Sequence, residues 1–117
     1  AAAGPACHRP QHSPYAAPTA EALMRSRYAA FAVRDEPYLL RTWHPSTRPG
    51  HLGLDPAMRW TGLEILETTG GSAFHTEGTV TFRARFTAGG EAGSLHECSR
   101  FVRHEGAWVY LDAVFAE

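Results

Sequence analysis

The spacing of apolar positions changes once along the chain, near Met58. Before that point Ala20, Leu23/Met24, Tyr28 and Phe31 recur every three to four residues, the spacing of one helical face. Thr19 precedes this run as an N-cap, and Glu21 places a carboxylate in the first turn, where the helix dipole favours it. A helix is predicted over Thr19–Arg34. Asp35-Glu36-Pro37 then starts a shorter helix over Glu36–His44, which Pro45 ends because the residue before a proline disfavours the α region. A loop rich in Pro and Gly leads on to Ala57.

From Met58 the period is two. Strands are predicted over Met58–Thr69, Thr79–Thr87, Ser94–His104 and Trp108–Phe115. Gly70-Gly71, the stretch from Gly89-Gly90 to Gly93, and the tight-turn pair Glu105-Gly106 separate them. Val80, Phe82, Ala84 and Phe86 point one way, Thr81, Arg83 and Arg85 the other. Helices followed by a four-strand meander predict an α+β fold, a cone-shaped curved antiparallel sheet wrapped by N-terminal helices with a pocket between the two. Residues 1–18 hold four prolines and no period, which predicts an irregular arm ahead of one domain over residues 19–117.

Composition narrows the function classes. A chain of 117 residues has room for one domain, and 11 basic against 12 acidic residues argue against a nucleic-acid or anionic-membrane binder. No stretch approaches the ~20 apolar residues of a membrane span. Two cysteines, Cys7 and Cys98, make no disulfide framework, and Ala1 to Pro5 lacks the basic end and apolar run of a signal peptide, so a cytoplasmic setting is expected. Every basic residue is Arg, so lysine Schiff-base chemistry is absent. P-loop, G-x-G-x-x-G and G-x-S-x-G patterns are also missing, and no cofactor is expected.

Met24-Arg25-Ser26-Arg27-Tyr28-Ala29-Ala30-Phe31 and Leu39-Leu40-Arg41-Thr42-Trp43-His44-Pro45-Ser46-Thr47-Arg48 resemble the YchJ-like family of uncharacterised bacterial proteins. Phe82-Arg83-Ala84-Arg85-Phe86, Ser99-Arg100-Phe101 and Gly106-Ala107-Trp108-Val109-Tyr110-Leu111-Asp112 continue the match in order, over most of Pro18 to Asp112. The resemblance implies a fold similar to nuclear transport factor 2 and supplies no established reaction. Family members open with a Cys-rich segment of the form C-P-C-G followed by a Cys pair. Here that stretch keeps Cys7, His8 and His12, one ligand short of a structural zinc site, so no metal is expected.

Candidate chemistry gathers on the predicted pocket. Tyr28 shares the stripe of Met24 and Phe31, either as a core phenol or as a proton donor. His44 follows Trp43 where the second helix ends, so it is either an acid/base group or a cap for the last carbonyls. Glu97 lies in a row with Leu95, Ser99 and Phe101, and Asp112 shares a face with Trp108 and Tyr110, opposite Val109 and Leu111. An Arg beside either acid is a catalytic counter-ion or a structural fork. The expected catalytic residues are His44, Glu97 and Asp112; the expected ligand contacts are Tyr28, Trp43, Arg27, Arg85 and Tyr110. The expected function is binding of a small organic molecule, with cofactor-free acid/base chemistry of isomerase, dehydratase or hydrolase type. The alternative is a non-catalytic interaction or adaptor module. A homodimer through the sheet face is expected, because the fourth strand carries large apolar residues on both sides.

Overall fold

The computed structural model describes residues 17–116. Cys7, His8 and His12, and with them nearly all of the expected arm, lie outside the described residues. Two helices, α1 (Ala20–Ala32) and α2 (Glu36–Arg41), precede strands β1 (Met58–Gly70), β2 (Glu77–Ala88), β3 (Glu91–His104) and β4 (Ala107–Ala116). The strands form one antiparallel sheet in the order β1-β2-β3-β4. The α+β architecture expected from the change of period is the one observed. No helix among the described residues is long and apolar enough to cross a membrane.

Local chemistry sets the helix ends. The Thr19 hydroxyl accepts from the Ala22 amide at 3.1 Å, and the Asp35 carboxylate accepts from the Tyr38 amide at 3.2 Å. α2 stops at Arg41, three residues before the predicted end at His44. Thr42 turns its hydroxyl back onto the Tyr38 carbonyl (2.8 Å), and the next residues pair with β4 instead of extending the helix. The β2–β3 connection is also tighter than expected. Gly89 and Gly90, at φ 59° and 86°, close the hairpin by themselves. Gly93 then belongs to β3, where the Phe86 ring lies over it so closely that a Cβ would meet ring carbons at 2.7 Å.

α1 crosses the concave face of the sheet. Ala20, Leu23 and Met24 bury against Val80, Phe82, Ala84, Phe101 and Trp108. Each large side chain removed from water there contributes about 1.5–3 kcal/mol. A smaller cluster of Ala30, Tyr38 and Leu39, flanked by Phe31, Leu52 and Leu54, fastens α2 and the following loop to α1. The start of α1 rests on the β1–β2 hairpin: the Ala20 amide donates to the Gly71 carbonyl at 2.9 Å, and the Trp108 indole donates to Pro18 O at 3.3 Å.

Gly78 packs against that same corner. A Cβ on Gly78 would stand 2.4 Å from Gly71 N and 2.5 Å from Gly71 Cα, both backbone atoms without freedom to move aside. Gly78→Ala is therefore expected to lower stability by about 2 kcal/mol or more in urea unfolding, whereas Gly53→Ala, in open space, should change it by less than about 0.5 kcal/mol. Equal effects of the two would contradict this account of the corner.

Candidate functional site

Between α1 and the concave sheet lies a cavity of about 190 Å3. Met24, Arg27, Tyr28 and Phe31 form its helical wall, and Trp43 enters from the turn after α2. The sheet contributes Trp60 from β1, Phe82 and Ala84 from β2, Leu95, Glu97 and Ser99 from β3, and Tyr110 from β4. Tyr28, Trp60, Leu95 and Glu97 are only half-buried, so the cavity communicates with solvent.

Trp43 reaches this wall because residues 42–44 bridge to the free edge of β4 at Tyr110. The Tyr110 amide donates to Thr42 O and the His44 amide donates to Tyr110 O, each at 2.8 Å, which makes a parallel bridge between Trp43 and Tyr110. The Thr47 hydroxyl donates to Leu111 O at 2.6 Å, and the Arg48 guanidinium donates twice to Trp43 O at 3.1 and 2.8 Å. The loop thereby satisfies the edge groups of Tyr110 and Leu111, part of a row of backbone donors and acceptors that would otherwise stand open.

Arg27 is the buried charged side chain among the described residues, with 3% of its surface exposed. Its Nη1 donates to Leu39 O at 2.8 Å and to the Thr42 hydroxyl at 2.6 Å. Its guanidinium carbon stands 4.8 Å from the centre of the Tyr110 ring and 5.3 Å from that of Trp43, both within cation–π range. No described residue bonds its Nε or Nη2. Burial pulls its pKa down to about 10, opposed by the nearby Tyr110, Tyr38 and Glu97, so it stays charged at neutral pH.

Glu97 faces the same cavity and accepts a short hydrogen bond from the Ser99 hydroxyl at 2.5 Å, in the range of charge-assisted bonds. It makes no ion pair with Arg27, although the two charges share one cavity. Burial first, and the Glu97 charge second, push the Tyr110 phenol up to about 12. Burial also raises Tyr28. Both phenols therefore remain neutral hydroxyls near neutral pH.

Five of the eight expected site residues thus line one cavity: Arg27, Tyr28, Trp43, Glu97 and Tyr110. Three do not. His44 lies outside it, its Nδ1 engaged by the Ser46 amide (3.0 Å) and hydroxyl (2.7 Å) and its ring 4.9 Å from that of His104. It organises the turn after α2 and does not reach the proton chemistry assigned to it. Arg85 points to the outer face, 3.6 Å from Glu64.

Asp112 also faces outward. It forms a bidentate fork with Arg100, both bonds at 2.7 Å. The reason is a bulge. Phe101 pairs with Tyr110 while Arg100 pairs with Asp112, so Leu111 is an extra residue and the alternation reverses across it. Tyr110 therefore faces inward with Phe101, and Asp112 outward with Arg100. Simple alternation gives no warning of that.

The cavity also holds residues that sequence reasoning did not assign to the site. Ser99 was legible from its two-residue spacing to Glu97 on one strand. Trp60 was not, because its pairing with Phe86, next to the bulge between Trp60 and Gly62, places it at the cavity. Among the described residues no cluster of three or more His, Cys, Asp or Glu is arranged to hold a metal ion.

A curled antiparallel sheet closed by N-terminal helices over an internal cavity places the chain in the NTF2-like class. It belongs to the YchJ-like family: the profile described as "YchJ, middle NTF2-like domain" matches residues 19–113. A UPF0225 protein of Streptomyces coelicolor is 65% identical over 95% of this chain and 86% of its own length. One from Chromobacterium violaceum is 51% identical over 92% of this chain and 80% of its own. Among solved structures, a SEC-C motif containing protein from Rhodopseudomonas palustris superposes with a TM-score of 0.75 at 33% identity, covering 85% of this chain and 80% of that one. Another, from Psychrobacter arcticus, gives 0.69 at 28% identity, covering 86% and 63%.

Two outcomes follow from these contacts. Arg27→Ala should cost about 3 kcal/mol, because it empties an aromatic slot and orphans two acceptors, while Arg27→Met, which refills the slot without a buried charge, should cost less than about half of that. Similar losses in denaturant unfolding would show that the charge itself, and not the filled slot, holds the helices. The Arg100 hydrogen bond, and secondly its charge, hold Asp112 below its usual pKa. That contribution is fully present above the ordinary carboxylate range and is lost as pH falls through the lowered value. The stabilities of the wild type and Asp112→Asn should therefore converge on acidification; a gap that widens would contradict the sign.

Proposed function

We propose that this domain binds one small organic molecule in the cavity between α1 and the sheet. The observation that carries the reading is Arg27: a charged side chain buried among aromatic rings, with two of its three nitrogens unbonded by described residues, beside an unfilled space. Burying a charge is costly, and a fold that needed only packing would be served as well by an apolar residue there. A dry cavity of about 150 Å3 is enough for benzene in an engineered protein, so about 190 Å3 suits a single ring with small substituents.

The catalytic form of this reading is proton transfer. Glu97 is the carboxylate in the lining and acts as the acid or base, oriented by Ser99. Arg27 and the Tyr110 hydroxyl then stabilise negative charge developing on the ligand. His44 and Asp112, which lie outside the cavity, have no part in it.

A ligand-observed NMR screen of single-ring compounds tests the binding claim. At least one should bind to the wild type and lose its signal in Leu95→Trp, where a larger side chain on the half-buried wall occupies the space. Binding of none to the wild type would end this reading.

The homodimer stands as a second proposal, on altered grounds. Val109 is 6% exposed within the single chain, so it needs no second subunit to cover it. What favours self-association is the end of β4, where Val114 and Phe115 are 60% and 37% exposed. Sedimentation velocity at micromolar concentration should show a dimer that Val114→Asp returns to monomer; a wild-type monomer would refute it.

A further inference from the structure

The cavity holds one positive and one negative charge that do not touch. Arg27 offers Nε–H and Nη2–H donors, and Glu97 keeps acceptor capacity beyond its bond from Ser99. The Tyr110 ring, 4.8 Å from the Arg27 guanidinium carbon, lines the same cavity as both charges. With no ion pair between the two, a hydrogen-bonding group of the ligand has room to stand across the gap. The electrostatic balance then decides what that group is. The empty cavity is already neutral, so an anionic ligand would leave Glu97 uncompensated and a cationic one would do the same to Arg27. An apolar ring would leave both charges facing a group that cannot bond to them.

Resting on the pocket reading above, we infer that the ligand is a neutral, planar, single-ring molecule with an acceptor and an adjacent N–H or O–H donor on one edge, a cyclic amide being the simplest case. Its carbonyl oxygen accepts from Arg27, and its N–H donates to Glu97. Its faces lie among Tyr28, Trp60 and Phe82, which supply the apolar part of the affinity. No group has to change its charge on binding.

Four probes of one ring size separate the possibilities on the full 117-residue chain: 2-pyridone, toluene, benzoate and benzamidine, titrated while the protein amide spectrum is recorded. The expected order puts 2-pyridone at least tenfold tighter than each of the others. The half-exposed Glu97 is then replaced by Gln, with the amide spectrum reporting whether the fold is kept. Glu97→Gln removes the negative charge and leaves Arg27 unbalanced, so benzoate should gain at least tenfold over its wild-type affinity and overtake 2-pyridone. Toluene or benzoate binding the wild type as tightly as 2-pyridone would overturn the inference while leaving the pocket intact. So would a folded Glu97→Gln protein with unchanged benzoate affinity. Failure of all four to bind the wild type would overturn the pocket reading together with it.

Discussion

A guanidinium removed from water must be given acceptors and polarisable faces, and Arg27 obtains its set from three separate parts of the chain. It leaves from α1, bonds the carbonyl of Leu39 in α2 and the hydroxyl of Thr42 just after it, and lies against the rings of Trp43 and Tyr110. Those contacts join α1 to the end of α2, to the loop that follows it and to β4. The Thr42 and His44 backbone bonds to Tyr110 complete the same knot. One buried side chain thereby touches every part of the helical side of the cavity, and the energetic cost of burying its charge is the reason to regard the cavity as more than a packing fault.

The rest of the cavity follows from the sheet. A small-residue corner at Gly71 and Gly78 lets the start of α1 approach the β1–β2 hairpin closely, and the fully buried Phe101 and Val80 pack against its Ala20, Leu23 and Met24. Beyond that contact the inward residues of the sheet bring in Trp60 and the polar groups of Glu97, Ser99 and Tyr110. A tightly packed end holds the domain together. The open end carries the polar groups of the cavity, and its half-buried side chains leave that cavity in communication with solvent.

Much of this was legible in the sequence because it depends on period and spacing. The 3.6-residue stripe of α1 and the two-residue alternation of β2 and β3 suffice for the α+β order, and they place Tyr28 and Glu97 on inward faces; Arg27 entered only as an expected ligand contact. Asp112 and His44 escaped for different physical reasons. The bulge at Leu111 arises from pairing with β3, and nothing in β4 alone marks it. His44 was read as the end of α2, but Thr42 stops the helix two residues earlier by bonding its own preceding turn, after which His44 is committed to Ser46 and β4. For Asp112 a long-range pairing overrode the local pattern; for His44 a local side-chain bond and a long-range bond to β4 did so together.

The central claim is that Arg27 is half committed to the fold and half available to a ligand. The most direct measurement is 15N NMR of its guanidinium group, with signals assigned by loss in Arg27→Met and followed for proton exchange with water. The account predicts slowed exchange at Nη1, which is held by Leu39 and Thr42, faster exchange at Nε and Nη2, and protection of the latter pair when 2-pyridone fills the cavity. Uniformly slow exchange at all three nitrogens in the free protein would contradict it, because every donor would then already have a partner within the fold.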